Sequence, residues 1–169
     1  TYIAEKAIEK YLSEQLNVIY TTPIKALSNQ KYNDFNTLGY ETGLLTGDRT
    51  INPESSLIVG TTEILRNMIF ADDKRLDDIG IIVLDEVHYL GDTERGTTWE
   101  EIIIHAPKNI KFLSLSATVE NKIEFLDWIV SLRGPSDLLE STTRPVPLDV
   151  ELVATDRFNE KIWFQNNSR

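Results

Sequence analysis

The sequence contains no cysteine, which removes two classes of protein from consideration at once. Without cysteine the chain can form neither a disulfide framework nor a metal site built on thiolates. No apolar run approaches the length of a membrane span, and no signal-peptide pattern opens the chain. We therefore expect an intracellular protein, cytoplasmic by default, with no membrane partner.

Positive charge is also scarce. The 17 Lys and Arg residues are outnumbered by 27 Asp and Glu residues, which gives a net charge of −10 at pH 7. Proteins that hold nucleic acid over a broad surface usually carry a basic patch or stripe. The composition thus argues against such a surface, although backbone N–H groups, helix N-termini and a few hydroxyls can also hold phosphates.

Apolar residues make up 41% of the 169 residues, enough for one domain with a sizeable core. They recur at helical spacing in five segments and form short strand-like runs in six others. The helical segments are 3–12, 26–35, 64–69, 99–106 and 123–130, and the runs are 17–21, 44–45, 57–59, 81–84, 110–115 and 148–153. Strands that alternate with helices predict an α/β fold with a parallel sheet, helices on both faces, and ligands at the carboxyl ends of the strands.

Details of these helices can also be predicted. Gly39 is placed to end the second helix. The predicted apolar face of the first helix consists of Ile3, Ala7, Ile8, Tyr11 and Leu12, and that of the fifth of Ile123, Leu126, Ile129 and Val130. The second helix is predicted from Ala26, Leu27, Gln30 and Phe35.

The stretch from 81 to 88 is the most informative in the chain. Its first four residues are apolar without alternation, as expected for a strand covered on both faces. Asp85 and Glu86 follow, so both carboxylates should emerge at the carboxyl end of that strand. A nucleotide-hydrolysing α/β domain has a metal ligand and a catalytic base there. The alternative is that the two acids open a helix, where negative charge favours the positive end of the dipole.

Further segments stand in a fixed order around this acid pair. They are residues 20–32 (Tyr-Thr-Thr-Pro-Ile-Lys-Ala-Leu-Ser-Asn-Gln-Lys-Tyr), 45–48 (Leu-Thr-Gly-Asp), 52–53 (Asn-Pro), 60–68 (Gly-Thr-Thr-Glu-Ile-Leu-Arg-Asn-Met), 94–101 (Glu-Arg-Gly-Thr-Thr-Trp-Glu-Glu), 114–118 (Ser-Leu-Ser-Ala-Thr) and 143–148 (Thr-Arg-Pro-Val-Pro-Leu). With the acid pair, they resemble the first motor domain of the superkiller-like DExH-box RNA helicases of the second helicase superfamily.

The resemblance runs from residue 1 to about 150, and it implies a RecA-like P-loop NTPase fold. Residues 1–153 would form the helicase ATP-binding domain, and residues 154–169 would begin a linker or an insertion. The implied cofactors are ATP and Mg²⁺. The implied partners are single-stranded RNA, a second RecA-like domain of the same chain, and an RNA-degradation or RNA-processing complex.

The resemblance also implies roles for the residues of the acidic motif, Asp-Glu-Val-His. Asp85 would engage Mg²⁺, Glu86 would act as the base, and His88 would link the nucleotide site to the Ser-Ala-Thr segment. In that segment Ser116, Ala117 and Thr118 would couple nucleotide state to the rest of the motor. A hydroxyl that merely caps the strand end explains Ser116 or Thr118 equally well.

Relatives in this family carry a Gly-Lys-Thr loop just before a helix of the type Ala-Glu-x-Ala-Ile, a sequence that here occupies residues 4–8. Thr1 would then be the last residue of the loop, and a ligand of the nucleotide and of Mg²⁺. The glycines and the lysine of the loop do not occur before it. We therefore expect the chain to be part of a longer protein, and to be inactive in ATP hydrolysis and weak in RNA binding by itself.

Contacts to the nucleic acid would fall where strands give way to helices or turns. The residues implied are Thr22, Pro23, Ile24, Lys25, Gly47, Asp48, Thr61, Thr62, Glu63 and Arg66. A plain N-cap of the third helix, with Glu63 favouring the dipole, explains part of this set without RNA. Arg66 remains open between phosphate and solvent, and Trp99 is predicted to be a core residue rather than a platform for base stacking.

Three functions are consistent with the sequence. The first is one half of an ATP-driven RNA helicase, in which two motor domains close over single-stranded RNA. The second is a DNA helicase of a related branch, because these segments do not settle sugar preference. The third is a scaffold domain that keeps the fold without hydrolysing ATP.

Overall fold

Helices alternate with strands along the chain. The computed structural model describes residues 2–88, 96–117, 121–141, 152–155 and 161–164. The helices are α1 (Tyr2–Ser13), α2 (Lys25–Thr37), α3 (Thr62–Phe70), α4 (Gly96–His105) and α5 (Lys122–Arg133), with a 3₁₀ helix at Lys74–Asp78. The strands are β1 (Asn17–Thr22), β2 (Thr42–Leu45), β3 (Thr50–Ile51), β4 (Leu57–Thr61), β5 (Ile79–Leu84), β6 (Lys111–Ser114), β7 (Leu152–Thr155) and β8 (Lys161–Phe164).

Six of these strands form one sheet in the order β3-β2-β4-β1-β5-β6. Every neighbouring pair is parallel except β2 and β3, which pair antiparallel at one edge. Parallel strands need crossover connections, and α2 and α3 supply them between β1 and β2 and between β4 and β5. The predicted α/β class with a parallel sheet is confirmed, and the carboxyl ends of five strands lie at one edge of the sheet.

The core lies on both faces of this sheet. On one face, residues such as Tyr20 and Val83 pack with Ala4 and Ile8 of α1 and Phe35 of α2. On the other, residues of β1 and β5 pack against α3, α4 and α5. All six residues of β5 are buried, which is why its sequence is apolar without alternation.

Helix α2 ends as the glycine predicts. Gly39 has φ +90°, in the left-handed region that glycine adopts without steric cost. Its N–H donates to the carbonyl of Asn36 (3.0 Å), and the N–H of Tyr40 donates to the carbonyl of Phe35 (3.0 Å). These two bonds form a Schellman motif, which turns the chain from α2 toward β2.

The predictions for the first two helices, α1 and α2, were partly wrong. Ile3 is 56% exposed, and Ala4 with Ile8 forms the buried face of α1. In α2 the predicted Phe35 is buried, but Ala26 is exposed, and the buried Ser28 was not predicted. Ser28 is buried because its hydroxyl has a polar partner close by, which a count of apolar residues does not detect.

The predicted face of α5 was partly wrong as well. Ile129 packs against the core as predicted, but Ile123 and Val130 are 58% and 39% exposed. The other residues of α5 that pack against the core are Phe125, Trp128 and Leu132. Apolar residues lie nearly all round this helix, so periodicity alone does not select the side that meets the sheet.

The side chain of Arg133 on α5 links this helix to the rest of the domain through hydrogen bonds. The guanidinium of Arg133 donates to the carbonyls of Ala106 (2.7 Å), Pro107 (2.8 Å) and Ile110 (2.8 Å). It also lies 4.8 Å from the centre of the Phe112 ring. A single planar cation thereby satisfies three carbonyls in the connection between α4 and β6.

Removing this cation should destabilise the domain. We expect Arg133→Met to lower the free energy of unfolding by about 2–3 kcal/mol, because hydrogen bonds to charged groups are worth about 1.5–3 kcal/mol and are not additive. Arg133→Lys keeps the charge but not the planar fork, so it should recover only part of the loss. Denaturant unfolding of the three proteins measures this, and full recovery by lysine would show that geometry is unimportant.

The chain divides into two compact units, Thr1–Asp137 and Leu138–Arg169. In the second unit β7 and β8 pair antiparallel, with Leu152 opposite Phe164. The predicted strand at 148–153 overlaps β7 in part, and β8 was not predicted. Among the described residues, no helix is long and apolar enough to cross a membrane.

Candidate nucleotide site and nucleic-acid interface

The register of the sheet brings the predicted site segments together. Thr22 pairs with Thr61, Thr21 with Leu84, Leu45 with Gly60, and Leu84 with Ser114. The segments that follow these positions therefore emerge side by side at one edge. They contain all the predicted site residues that the structure describes; Thr1 and Thr118 lie outside the described residues.

Asp85 is held by three hydrogen bonds at the end of β5, one of its backbone and two of its carboxylate. Its backbone N–H donates to the carbonyl of Thr21 (3.0 Å), which continues the ladder one residue beyond the strand. Its Oδ1 accepts the N–H of Glu86 (3.0 Å), and its Oδ2 accepts the hydroxyl of Tyr20 (2.5 Å). Both oxygens thus have fixed partners, and the side chain is set in one orientation.

Glu86 has φ +59°, a left-handed conformation that costs free energy in a residue with a side chain. Its neighbours hold it there, because the N–H of Val87 donates to the carbonyl of Leu115 on the adjacent strand (2.9 Å). Since right-handed helices exclude this φ, the acid pair forms a turn after the strand rather than the first turn of an α-helix. The left-handed turn was not foreseen from the sequence.

Asp85 and Glu86 are both partly buried, and their side chains differ in the partners they contact. The side chain of Glu86 is 37% exposed, and its Oε2 lies 3.2 Å from Nδ1 of His88, which is 33% exposed. Glu86 thus presents a carboxylate at the surface of the edge, whereas that of Asp85 is tied to the strands. The two acids of the motif are suited to different tasks.

The Ser-Ala-Thr segment adjoins the acid pair through the backbone. Leu115 N–H donates to the carbonyl of Leu84 (2.8 Å), and the carbonyl of Leu115 accepts the N–H of Val87. Ser116 and Ala117 follow directly and are exposed. A shift of this segment would therefore move the backbone on either side of Asp85 and Glu86, as the predicted coupling role requires.

The segment after β1 divides into buried and exposed residues. Thr22 and Pro23 are buried. The hydroxyl of Thr22 donates to the carbonyl of Ile24 (3.0 Å) and lies 2.8 Å from the hydroxyl of Ser28. Thr22 thus shapes the first turn of α2 from within, and Ile24 and Lys25 are the side chains that this segment presents to solvent.

Lys25 meets the turn between β2 and β3. Its Nζ lies 3.2 Å from Oδ1 of Asp48, with both side chains more than half exposed. The hydroxyl of Thr46 donates to the same oxygen (3.0 Å). That hydrogen bond, followed by Lys25, holds the pKa of Asp48 below its usual value. Gly47 lies beside Lys25, since a Cβ there would stand 3.7 Å from the ammonium.

An exposed ion pair of this kind contributes little to stability. Lys25 can therefore leave Asp48 for a stronger anion at little cost. A phosphate of a nucleic acid is such an anion.

At the start of α3, Thr61 and Thr62 are buried and Glu63 is exposed. Thr61 occupies the N-cap position, yet its side chain makes no capping hydrogen bond. The plain N-cap explanation therefore lacks its expected bond. Arg66 is engaged in the protein, with its guanidinium 3.6 Å from Glu101 and 3.2 Å from the side-chain oxygen of Asn67.

Sequence reasoning missed one residue of this site, Tyr20. It lies on β1, 65 positions before Asp85, and it meets that residue only because β1 and β5 are neighbours. The buried position of a tyrosine near the end of a strand was the available signal, since a buried hydroxyl needs a partner.

A parallel sheet with helices on both faces, an acid pair after an interior strand, and the segments around Ser116, Thr22 and Thr61 at the same edge are the features expected of a helicase motor domain of the RecA-like type. The DEAD/DEAH box helicase family matches residues 1–126, and the chain belongs to this family.

Several relatives are similar over most of the chain. It is 49% identical over 149 residues to the DExH-box ATP-dependent RNA helicase DExH9 of Arabidopsis thaliana, covering 88% of this chain and 15% of that protein. It is 48% identical over 151 residues to human Superkiller complex protein 2, covering 88% and 12%. With the probable helicase HelY of Mycobacterium leprae it shares 42% identity over 170 residues, covering 99% and 18%.

Among solved structures, the helicase domain of Hef from Pyrococcus furiosus has a similar fold. The TM-score is 0.56 at 24% sequence identity, covering 79% of this chain and 30% of that one. This likeness confirms the predicted RecA-like fold. The chain spans less than a fifth of the length of DExH9, of human Superkiller complex protein 2 and of HelY.

Proposed function

We propose that this chain serves as the ATP-binding motor domain of an ATP-dependent RNA helicase, which couples ATP hydrolysis to unwinding or translocation. The observation that carries the proposal is the acid pair at the end of β5, with the carboxylate of Asp85 held by two donors and that of Glu86 partly exposed beside His88. Family membership and the names of two of the relatives above, which specify RNA helicases or the Superkiller complex, support the choice of reaction.

In this proposal Asp85 holds Mg²⁺, directly or through water. Mg²⁺ prefers oxygen ligands and keeps several waters, so one or two carboxylates and the phosphates of a nucleotide suffice. The fixed carboxylate of Asp85 fits that requirement. The described residues contain no group of three or more His, Cys, Asp or Glu side chains that could cage a metal, which also fits a lightly held ion. When bound, Mg²⁺ neutralises charge on the phosphates.

Glu86 is the proposed base. Its carboxylate is partly exposed and can reach a water molecule. The carboxylate of Asp85 is instead oriented by two donors and is assigned to Mg²⁺. Nδ1 of His88 lies beside it and restrains its direction. Glu86 would orient the attacking water and accept its proton.

RNA is the proposed polymer partner, held at the same edge by Lys25, the Gly47-Asp48 turn and the start of α3. Phosphates can be held there by the exposed lysine and by backbone N–H groups of the first turn of α3, in spite of the acidic composition. Association with an RNA-processing complex is part of this proposal, following the name of Superkiller complex protein 2.

Coupling between the two ligands tests the proposal. We expect the full-length protein to bind single-stranded RNA more tightly when Mg²⁺ and a non-hydrolysable ATP analogue are present than when they are absent, because the two sites share one sheet edge. Fluorescence anisotropy of labelled RNA measures the affinities. An RNA affinity that is the same with and without the nucleotide would support the scaffold alternative instead.

Lys25→Ala should weaken this RNA binding. A surface charge contact is worth up to about 1 kcal/mol, which corresponds to a loss of roughly fivefold in affinity. Loss of one phosphate contact should also reduce the slope of log affinity against log salt by about 0.7. The matched control is Lys6→Ala, which removes an equally exposed lysine that pairs with Glu9 on α1. If the two variants bind RNA with equal affinity, Lys25 does not contribute to the RNA interface.

A further inference from the structure

The hydroxyl of Tyr20 reaches the acid pair from inside the core. Tyr20 pairs with Val83 across the parallel ladder, and Asp85 lies two residues after Val83, on the same face of the sheet. The tyrosine is fully buried, and its hydroxyl donates to Oδ2 of Asp85 at 2.5 Å. A hydrogen bond to an ionised carboxylate is about twice as strong as one between neutral groups.

The ring that carries this hydroxyl is fixed by other aromatic rings. Phe35 of α2 packs edge-on against Tyr20, with centroids 5.2 Å apart and an interplanar angle of 71°. Tyr40 packs edge-on against Phe35 in turn, at 6.2 Å. The packing between α2 and the sheet therefore sets the position of the hydroxyl, and no solvent molecule is needed to hold it there.

The direction of the hydrogen bond is also fixed. An ionised carboxylate can only accept hydrogen bonds, so the hydroxyl of Tyr20 is the donor to Asp85. Asp85 accepts the hydrogen bond of this hydroxyl at Oδ2 and that of the Glu86 N–H at Oδ1, so the plane of its carboxylate is defined by two donors.

We propose that Tyr20 is a positioning residue for Asp85, whose carboxylate it holds in the orientation that binds Mg²⁺ in the presence of nucleotide. This inference rests on the proposed function, because it assigns Tyr20 to the metal-binding step of that reaction. Partners that orient a ligating side chain in this way commonly contribute 10-fold to 100-fold to metal affinity or activity. The competing explanation is that Asp85 merely satisfies a buried hydroxyl.

Tyr20→Phe separates these explanations, since it removes the hydroxyl and keeps the ring. The full-length protein is titrated with Mg²⁺ at a fixed concentration of a fluorescent ATP analogue, and binding is followed by anisotropy. For Tyr20→Phe we expect the half-saturating Mg²⁺ concentration to rise about 10-fold or more. Binding of the nucleotide without Mg²⁺ should stay at the wild-type level, which also shows that the variant is folded. The control Tyr40→Phe removes a hydroxyl from the same aromatic cluster and should behave as wild type.

A second arm shows whether the hydroxyl acts through Asp85. In an Asp85→Asn background, addition of Tyr20→Phe should leave the Mg²⁺ requirement unchanged, because the carboxylate that Tyr20 orients is gone. Three results would overturn the inference: a Tyr20→Phe curve that matches Tyr40→Phe, an equal effect of Tyr20→Phe in the Asp85→Asn background, or loss of nucleotide binding without Mg²⁺. If the wild-type protein shows no Mg²⁺-dependent nucleotide binding, the proposed function fails and the inference fails with it.

Discussion

Replacement of Glu86 by Gln in the full-length protein is expected to reduce ATP turnover by about 10²–10⁴-fold, the usual contribution of a positioned general base. Glutamine keeps the shape of the side chain and cannot accept the proton of the attacking water. Because Asp85, rather than Glu86, is the proposed Mg²⁺ ligand, the variant should still bind ATP with Mg²⁺ at close to the wild-type affinity. The expected result is therefore a large loss in kcat with little change in nucleotide affinity.

A matched control for this variant is Glu14→Gln. Glu14 is exposed and precedes β1, so it lies toward the opposite end of the strand from the acid pair. Steady-state turnover and equilibrium nucleotide binding of the two variants should be measured side by side. Glu86 would not be the base if Glu86→Gln kept more than about a tenth of the wild-type turnover, since a lost base costs at least about 10²-fold.

Trp99→Ala is expected to lower the free energy of unfolding by about 3–5 kcal/mol, the range for deletion of a large aromatic side chain from a core. Trp99 lies on α4 with 0% of its surface exposed and belongs to the core cluster between the sheet, α3 and α4. Deletion of its ring leaves a cavity that the neighbouring rigid elements cannot fill. Thermal or denaturant unfolding gives the measured loss.

Substitution of Trp99 also distinguishes a core residue from a platform for base stacking. The structure places Trp99 in the core, as the sequence predicted. Trp99→Phe keeps an apolar ring in the cavity, and it should cost less stability than Trp99→Ala. It should also leave RNA affinity unchanged at a temperature where the variant is folded. Stacking on a base is worth about 1–3 kcal/mol, so a loss of RNA affinity of that size would place Trp99 at the interface after all.

The sheet and its acid pair were predictable because their sequence signals are local. An unbroken apolar run can be accommodated only in a strand covered on both sides, and β5 has that position. Asp85 and Glu86 directly follow the run, and their place at the sheet edge follows from chain connectivity. Gly39 is similar, since a left-handed residue after a helix favours glycine whatever the tertiary structure.

Other features depend on contacts between distant residues and could not be predicted in the same way. Tyr20 and Asp85 meet because the strand order places β1 beside β5, and nothing local to either residue specifies that order. The left-handed φ of Glu86 arises from its position between a strand end and the contact of Val87 with Leu115. Glycine would be the usual choice at such a φ, so the residue type gave no warning.

The interface residues show a third limit, which concerns burial. Thr22 was predicted among the nucleic-acid contacts, which stays a prediction, and its hydroxyl is turned inward to the first turn of α2. A threonine at a strand end can face either way, and the choice depends on whether a partner such as Ser28 lies opposite. Lys25 is exposed, and its contact with nucleic acid stays a prediction.

The central claim is that this chain belongs to an RNA-dependent ATPase, and the most direct test is ATP turnover by the full-length protein with single-stranded RNA or DNA of equal length. We predict that RNA stimulates turnover more than DNA does and that Glu86→Gln abolishes the stimulation. Stimulation by DNA alone would contradict the choice of RNA and favour the DNA-helicase alternative. A protein that binds both polymers and hydrolyses ATP with neither would contradict the motor function itself.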